Sequence, residues 1–139
     1  MSLYGLDTDT LTLLQRGAAV LQERIRRLKP DELAITVISV EEQLSGWYSL
    51  LRSAKRPEQL SKAYDRLAQA VMLLGSLPIL SFSEAARVRY EDLKSQKLNV
   101  AKMDLRIAAI VLEHKAILIT RNARDFGRVP KLVVEDWTT

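Results

Sequence analysis

The sequence contains no cysteine and a single histidine in 139 residues. The lack of cysteine excludes both a disulfide framework and a thiolate metal site, and it fits a reducing cytoplasm. His114 ends an apolar helical segment, so we expect it to lie at the surface or at a helix C-terminus, where it is not a catalyst. No apolar run approaches the roughly 18 residues of a membrane span, and the N-terminus lacks the layout of a signal peptide. These absences predict a cytoplasmic protein without a membrane association.

The composition that remains is that of an ordinary globular protein. Hydrophobic residues make up 47% of the chain and charged residues 27%, which is enough for one core. The length predicts one domain over residues 1–139. The net charge of +4 is unevenly spread, because residues 86–106 contain six Lys or Arg and three acids. This basic surface either keeps the protein solvated or binds a polyanion such as a nucleic acid.

Apolar and amphipathic segments alternate along the chain. The segment LAITVIS (33–39) is rich in β-branched residues, and its polar break before Ser39 is Thr36, which is typical of a strand buried on both faces. Strands are predicted at 3–6, 33–39, 77–82, 116–120 and 131–136, and helices at 8–16, 18–28, 41–54, 57–74, 83–94 and 103–114. This order predicts an α/β protein with three layers, α/β/α, around a mostly parallel central sheet of about five strands.

Acidic residues follow several of these strands at the edge where ligands bind in parallel sheets. Asp7 follows the first predicted strand, Glu41 and Glu42 follow the second, Asp125 follows the fourth, and Asp104 opens the helix over 103–114. Each also has a structural interpretation. Asp7 or Thr8 could cap the helix that begins there, and the helix dipole favours Asp104 in a first turn.

The spacing of Ser39 and Glu42 is that of a capping box, and Asn122 and Asp125 are similarly spaced. Taken together, however, clustered carboxylates repel one another and are costly without a cation. Mg²⁺ prefers such oxygen ligands, and a two-ion site cleaves phosphodiesters without a side-chain nucleophile. The sequence therefore leaves two interpretations open for these acids, helix caps or a metal site.

Four segments, in this order and spacing, resemble the PIN-domain proteins. They are LDTDTLTLL, ITVISVEEQLSG, MDLRIAAI and ILITRNARDFGRVPKLVVEDW. More narrowly, the chain resembles the toxin half of VapBC-type toxin–antitoxin pairs. The resemblance implies a PIN-like α/β/α fold and an endoribonuclease that uses Mg²⁺ or Mn²⁺ held by three or four acids. It also implies a cognate antitoxin and a homodimer.

The resemblance also assigns site residues. It implies that Asp7, Asp104 and Asp125 are the first, third and fourth acids, with Thr120 and Asn122 as supporting polar residues. On this basis we expect Asp7 and Asp104 to hold the principal metal, and the second acid and Asp125 to complete the site or bind a second ion.

The chain departs from the family pattern at two places. Gly46 points to Glu42 as the second acid, but Gln43 stands where the family usually has Leu, so Glu41 remains an alternative. Asp9 stands where these proteins often have Asn, and it either adds a ligand or faces water.

Two other functions compete with this interpretation. The segment DTDT after a strand also resembles the start of haloacid-dehalogenase-like phosphatases, in which one Asp attacks phosphorus, although only 19 residues follow Thr120. The other alternative is a catalytically silent PIN-fold binding module.

Three tryptophan and tyrosine side chains have structural interpretations. We expect Trp137 to anchor the C-terminal segment and at least one of Trp47 and Tyr48 to belong to the core.

Arg121 and Arg124 are expected to steer an RNA backbone.

Overall fold

The computed structural model describes residues 2–139. Five strands alternate with seven α-helices. The strands are β1 (Tyr4–Leu6), β2 (Leu33–Thr36), β3 (Ile79–Leu80), β4 (Ile117–Ile119) and β5 (Val134–Glu135). The helices are α1 (Thr8–Gln15), α2 (Ala19–Arg26), α3 (Val37–Ser53), α4 (Pro57–Gly75), α5 (Glu84–Ser95), α6 (Lys102–Glu113) and α7 (Ala123–Phe126), with a 3₁₀ turn at Pro30–Glu32.

The strands form one parallel sheet in the order β3-β2-β1-β4-β5. In its central row, Leu6 lies beside Ile35 of β2 and Ile119 of β4, and all three are fully buried. These three side chains belong to a hydrophobic cluster with α1, α2 and α4, whereas Leu118 joins a second cluster built mainly from α5 and α6. The predicted α/β/α layers and parallel sheet of about five strands are confirmed.

Helix α6 lies deep in the second cluster, as its apolar pattern predicts. Residues 107–111 are almost completely buried, while Asp104 in the first turn keeps access to the sheet edge. His114 caps the other end of α6, and its exposed ring contacts the carbonyl oxygen of Ile110 through Nδ1 at 3.0 Å. His114 therefore occupies the helix C-terminus predicted for it.

The second strand is shorter than predicted and the helix after it is longer. β2 ends at Thr36, and α3 begins at Val37 instead of residue 41. The Thr36 side chain accepts a hydrogen bond from the Ser39 N–H at 3.2 Å, so Thr36 is the N-cap. The predicted capping box of Ser39 and Glu42 is therefore wrong, because both residues lie inside α3.

Helix α7 is absent from the prediction. It is a single turn that begins after Asn122, whose side chain accepts a hydrogen bond from the Asp125 N–H at 3.3 Å. The cap interpretation of Asn122 is thus confirmed by geometry. So short a helix has too few residues to show a hydrophobic period, and only its cap is visible in the sequence.

The prediction that Trp47 or Tyr48 belongs to the core is wrong. Trp47 is partly exposed, and Tyr48 is 47% exposed. Their helix packs against α4, which also leaves apolar side chains in solvent, including Tyr64 and Val71. The outer face of this helix pair is covered by no further layer within residues 2–139.

Among the described helices, none combines the length and the apolar character that a membrane span requires.

Trp137 anchors the C-terminal segment, as predicted. Its side chain is buried, and its ring centroid lies 4.9 Å from that of Tyr4. The Arg24 guanidinium carbon lies over the Trp137 ring, 5.1 Å from its centroid. The indole N–H donates to Glu135 Oε1 at 2.9 Å. These contacts fasten the residues after β5 to β1 and α2.

Replacing Trp137 with Ala is expected to lower the free energy of unfolding by about 3 kcal/mol, because it leaves a large cavity in the cluster. Urea denaturation followed by circular dichroism measures the loss. Trp47→Ala is the matched control and is expected to cost about 1 kcal/mol or less, since Trp47 is partly exposed. Equal losses in the two variants would contradict the anchoring role of Trp137.

Candidate active site

The carboxyl edge of the sheet gathers the predicted site residues from five places in the chain. Asp7 follows β1 and Thr120 follows β4, which are neighbouring parallel strands. Asp104 is in the first turn of α6 and Glu42 in the second turn of α3. Asn122 and Asp125 belong to the single turn of α7.

Asp7 is held firmly at the centre of this edge. It is 5% exposed, and its Oδ2 accepts a hydrogen bond from Thr120 Oγ1 at 2.6 Å. Its Oδ1 accepts the Thr10 N–H at 2.8 Å, so the same carboxylate also caps α1. Burial raises the pKa of Asp7, and the hydrogen bonds from Thr10 and Thr120 oppose that rise.

The pKa of Asp104 reflects the negative charge of the neighbouring acids. Burial, together with repulsion from Glu42, Asp7 and Asp125, raises the pKa of Asp104 to about 6. Within residues 2–139, no hydrogen bond or ion pair engages the Asp104 carboxylate. A half-buried carboxylate facing like charges is destabilised in its ionised form, and a cation would relieve that repulsion.

Glu42 and Glu41 differ in their surroundings. Glu42 is partly buried and accepts a hydrogen bond from Thr8 Oγ1 at 2.6 Å, whereas the Glu41 side chain is exposed. Glu42 is also among the acids that raise the pKa of Asp104. The structure thus brings Glu42 toward Asp7 and Asp104.

Two of the remaining acids already have cationic partners. Asp125 accepts from Arg128 at 3.0 Å and from Asn122 Nδ2 at 3.0 Å. Asp9 forms a two-pronged ion pair with Arg121, with N–O distances of 2.8 and 3.1 Å, and both side chains are about half exposed. Asp9 therefore faces solvent at the border of the site.

The donor set fits a hard divalent cation. No three acidic or histidine side chains among the described residues converge as a ready-made cage. Mg²⁺ requires no such cage, because it keeps several waters and binds through one or two carboxylates. Asp7 and Asp104 supply carboxylate oxygens, and Asp104 has no protein partner in the described part of the chain.

Sequence reasoning missed the hydroxyl groups that support the acids. Thr8 and Ser39 contact each other at 3.0 Å and connect α1 to Glu42, and the Gln43 side chain donates to Thr12 Oγ1 at 2.8 Å. The position of Thr8 next to Asp7 was a signal in the sequence, but its partners are 31 and 34 residues away. Only the packing of α1 against α3 identifies them.

These residues and this fold define a class of protein. The family model of the PIN domain matches residues 6–132. The chain belongs to the PIN domain family. Membership of this family does not favour the phosphatase alternative, in which Asp7 would be the nucleophile.

One relative and two solved structures are similar to this chain over almost its whole length. Ribonuclease VapC1 of Haemophilus influenzae (strain R2866) is 29% identical over 98% of each chain. The structure of VapBC-1 from nontypeable Haemophilus influenzae has a TM-score of 0.77, with 25% identity over 99% of each chain. VapBC2 from Rickettsia felis, solved bound to a DNA fragment from its promoter, has a TM-score of 0.75, with 25% identity over 97% of this chain and 98% of that one. The similarity extends over nearly the whole sequence.

Replacing Thr120 with Val is expected to lower the free energy of unfolding by about 1–3 kcal/mol, because a buried carboxylate loses a hydrogen-bond donor. Thr120 also accepts the Asn122 N–H at 2.9 Å, and Val removes that acceptor. Urea denaturation in EDTA measures the effect. Thr120→Ser keeps the hydroxyl and is the control, and similar losses in both variants would show that the hydrogen bonds contribute little.

Replacing Asp104 with Asn is expected to stabilise the metal-free protein at pH 7.5. The pKa of Asp104 is higher in the folded protein than in the unfolded chain, so this carboxyl lowers the free energy of unfolding as the pH rises through about 6. The gain is about 1 kcal/mol once solvent screening is allowed for, and it should vanish toward pH 4.

Denaturation curves of both proteins in EDTA, recorded from pH 4 to 7.5, test this pH dependence. A variant that is less stable than the wild type at pH 7.5 would show that Asp104 makes favourable contacts in the metal-free state.

Proposed function

We propose that this protein is a metal-dependent endoribonuclease and the toxin of a toxin–antitoxin pair. One observation carries the proposal: Asp104 lies among Asp7, Glu42 and Asp125 at the carboxyl edge of a PIN-domain sheet, and no residue within 2–139 pairs with it. The relative named Ribonuclease VapC1 supports RNA as the substrate class.

The acids have distinct roles in this proposal. Asp7 and Asp104 hold the principal Mg²⁺ or Mn²⁺ ion, and Glu42 and Asp125 complete the site or bind a second ion. When bound, the ion supplies the positive charge that stabilises negative charge developing on the phosphodiester. Thr120 orients Asp7 through its 2.6 Å hydrogen bond, and Asn122 orients Asp125.

Cationic residues border the acids on the side of α7. Arg121 is held beside the site by Asp9, and its pKa is raised by Asp9 above all. Arg124 is exposed on α7. These guanidinium groups offset the repulsion between the acidic site and a phosphate backbone, so we assign them to RNA binding.

A groove between α1, α3 and α4 begins at Glu42 and provides a place for the antitoxin. Its volume is about 770 Å³, and Arg16, Trp47, Arg66 and Leu73 line it. The structural neighbours from Haemophilus influenzae and Rickettsia felis are VapBC structures, which supports a cognate antitoxin as the partner. The exposed apolar side chains of α4 are consistent with a homodimer, and we place the protein in the cytoplasm.

Cleavage of RNA by the purified chain tests the activity. Total RNA with Mn²⁺ or Mg²⁺ is expected to yield discrete fragments, and EDTA should abolish them. Asp104→Asn is expected to lower cleavage at least about 100-fold, because it removes a carboxylate ligand from the proposed metal site. Asp92→Asn is the matched control, since Asp92 is an exposed acid on α5 outside the cluster.

Other outcomes would contradict the proposal in different ways. Full metal-dependent cleavage by Asp104→Asn would overturn the assignment of the site. If the wild type neither cleaves RNA nor binds Mn²⁺ in calorimetry, the result would favour a silent binding module whose acids have structural roles alone. A covalent phosphate trapped on Asp7 would revive the phosphatase alternative.

A further inference from the structure

Two side-chain hydroxyls, those of Ser39 and Thr8, connect the interior of the protein to the Glu42 carboxylate. Thr8 Oγ1 donates to Glu42 Oε1 at 2.6 Å and lies 3.0 Å from Ser39 Oγ. Thr8 is the first residue of α1, directly after Asp7, while Ser39 and Glu42 are one turn apart on α3. The contact therefore joins the helix that begins at the first acid to the helix that carries the second.

The directions of these hydrogen bonds follow from the number of protons. A threonine hydroxyl has one proton, and an ionised carboxylate can only accept. Since Thr8 donates to Glu42, the Ser39 hydroxyl must donate to Thr8. Ser39 is fully buried, so its hydroxyl has no water to compete for that proton. A charge-assisted bond supported by a second hydroxyl is stronger than an isolated one.

Glu42 needs such support. Its side chain has three rotatable bonds, and it lies among like charges, because Glu42 contributes to the repulsion felt by Asp104. Without a donor, Glu42 would turn toward solvent and relieve the repulsion. In the described residues, no Lys or Arg pairs with Glu42, and Thr8 is the donor to its carboxylate.

We propose that Thr8 is a positioning residue that holds the Glu42 carboxylate toward Asp104 before a metal binds. This inference rests on the proposed metal site. Groups that orient metal ligands typically change metal affinity about 10–100-fold when they are removed.

A second hydrogen bond between the same two helices provides a matched control. Thr12 lies one turn after Thr8 and accepts from the buried Gln43 side chain at 2.8 Å. Thr12 donates to the Thr8 carbonyl oxygen, and within residues 2–139 it forms no hydrogen bond with an acid of the cluster. Thr12→Val therefore breaks a link between α1 and α3 without removing the donor to Glu42.

Mn²⁺ titration by calorimetry, on the purified full chain, tests the positioning role. Thr8→Val is expected to weaken Mn²⁺ binding about 10-fold, whereas Thr8→Ser and Thr12→Val should bind like the wild type. In a Glu42→Gln background, Thr8→Val should have no further effect, because the group that it positions has lost its charge. Urea denaturation of each variant shows whether it is folded.

Each contrary result overturns a different statement. Thr8→Val with wild-type affinity, or with an equal loss in the Glu42→Gln background, would overturn the positioning role and leave the metal site intact. Equal losses in Thr8→Val and Thr12→Val would assign the effect to helix packing. Absence of Mn²⁺ binding by the wild type would overturn the proposed metal site itself, and this inference with it.

Discussion

The repulsion between carboxylates at the carboxyl edge of the sheet is the constraint on which the site depends. Asp104 shows it most directly, since burial and three neighbouring acids raise its pKa to about 6. The ionised form of Asp104 costs stability in this arrangement, because its carboxylate loses water and faces like charges. The proposed metal site would explain why Asp104 is kept in a position that costs stability.

The protein limits this cost with hydrogen bonds from neutral groups. Thr120 and the Thr10 N–H satisfy Asp7, and Thr8 satisfies Glu42. Among residues 2–139, the ion pairs at this edge lie at the border of the site, where Arg128 pairs with Asp125 and Arg121 with Asp9. Hydroxyl and amide donors stabilise the carboxylates without neutralising their charge, so the centre remains suited to a cation.

At Asp7, the two interpretations of the acids, as helix caps and as a metal site, are compatible. Asp7 caps α1 with one oxygen and receives the Thr120 hydroxyl on the other. Asn122 caps α7 and also contacts Asp125 through its amide nitrogen. Helices that begin at the edge of a parallel sheet bring their N-termini to that edge, so capping residues and ligands belong to the same short segments.

The sequence by itself determined the class of the fold and the segments that supply the acids. Alternating apolar runs and amphipathic helices predict the parallel sheet, and the depth of α6 follows from its apolar residues. Local patterns carry this information because strand and helix periods are properties of neighbouring residues. The sequence did not predict that the strand ends at Thr36, because the β-branched residues after it continue the strand pattern. In the structure, the Thr36 side chain caps α3.

Only the tertiary structure decided which groups meet. Thr8 donates a hydrogen bond to Glu42, 34 residues away in the sequence, and Thr120 donates to Asp7, 113 residues away. Trp47 is partly exposed because no layer covers α3 and α4 within the described chain. None of these contacts has a period or a spacing that a sequence displays. They arise from the order β3-β2-β1-β4-β5, which places β1 beside both β2 and β4 and brings distant strand ends within hydrogen-bonding distance.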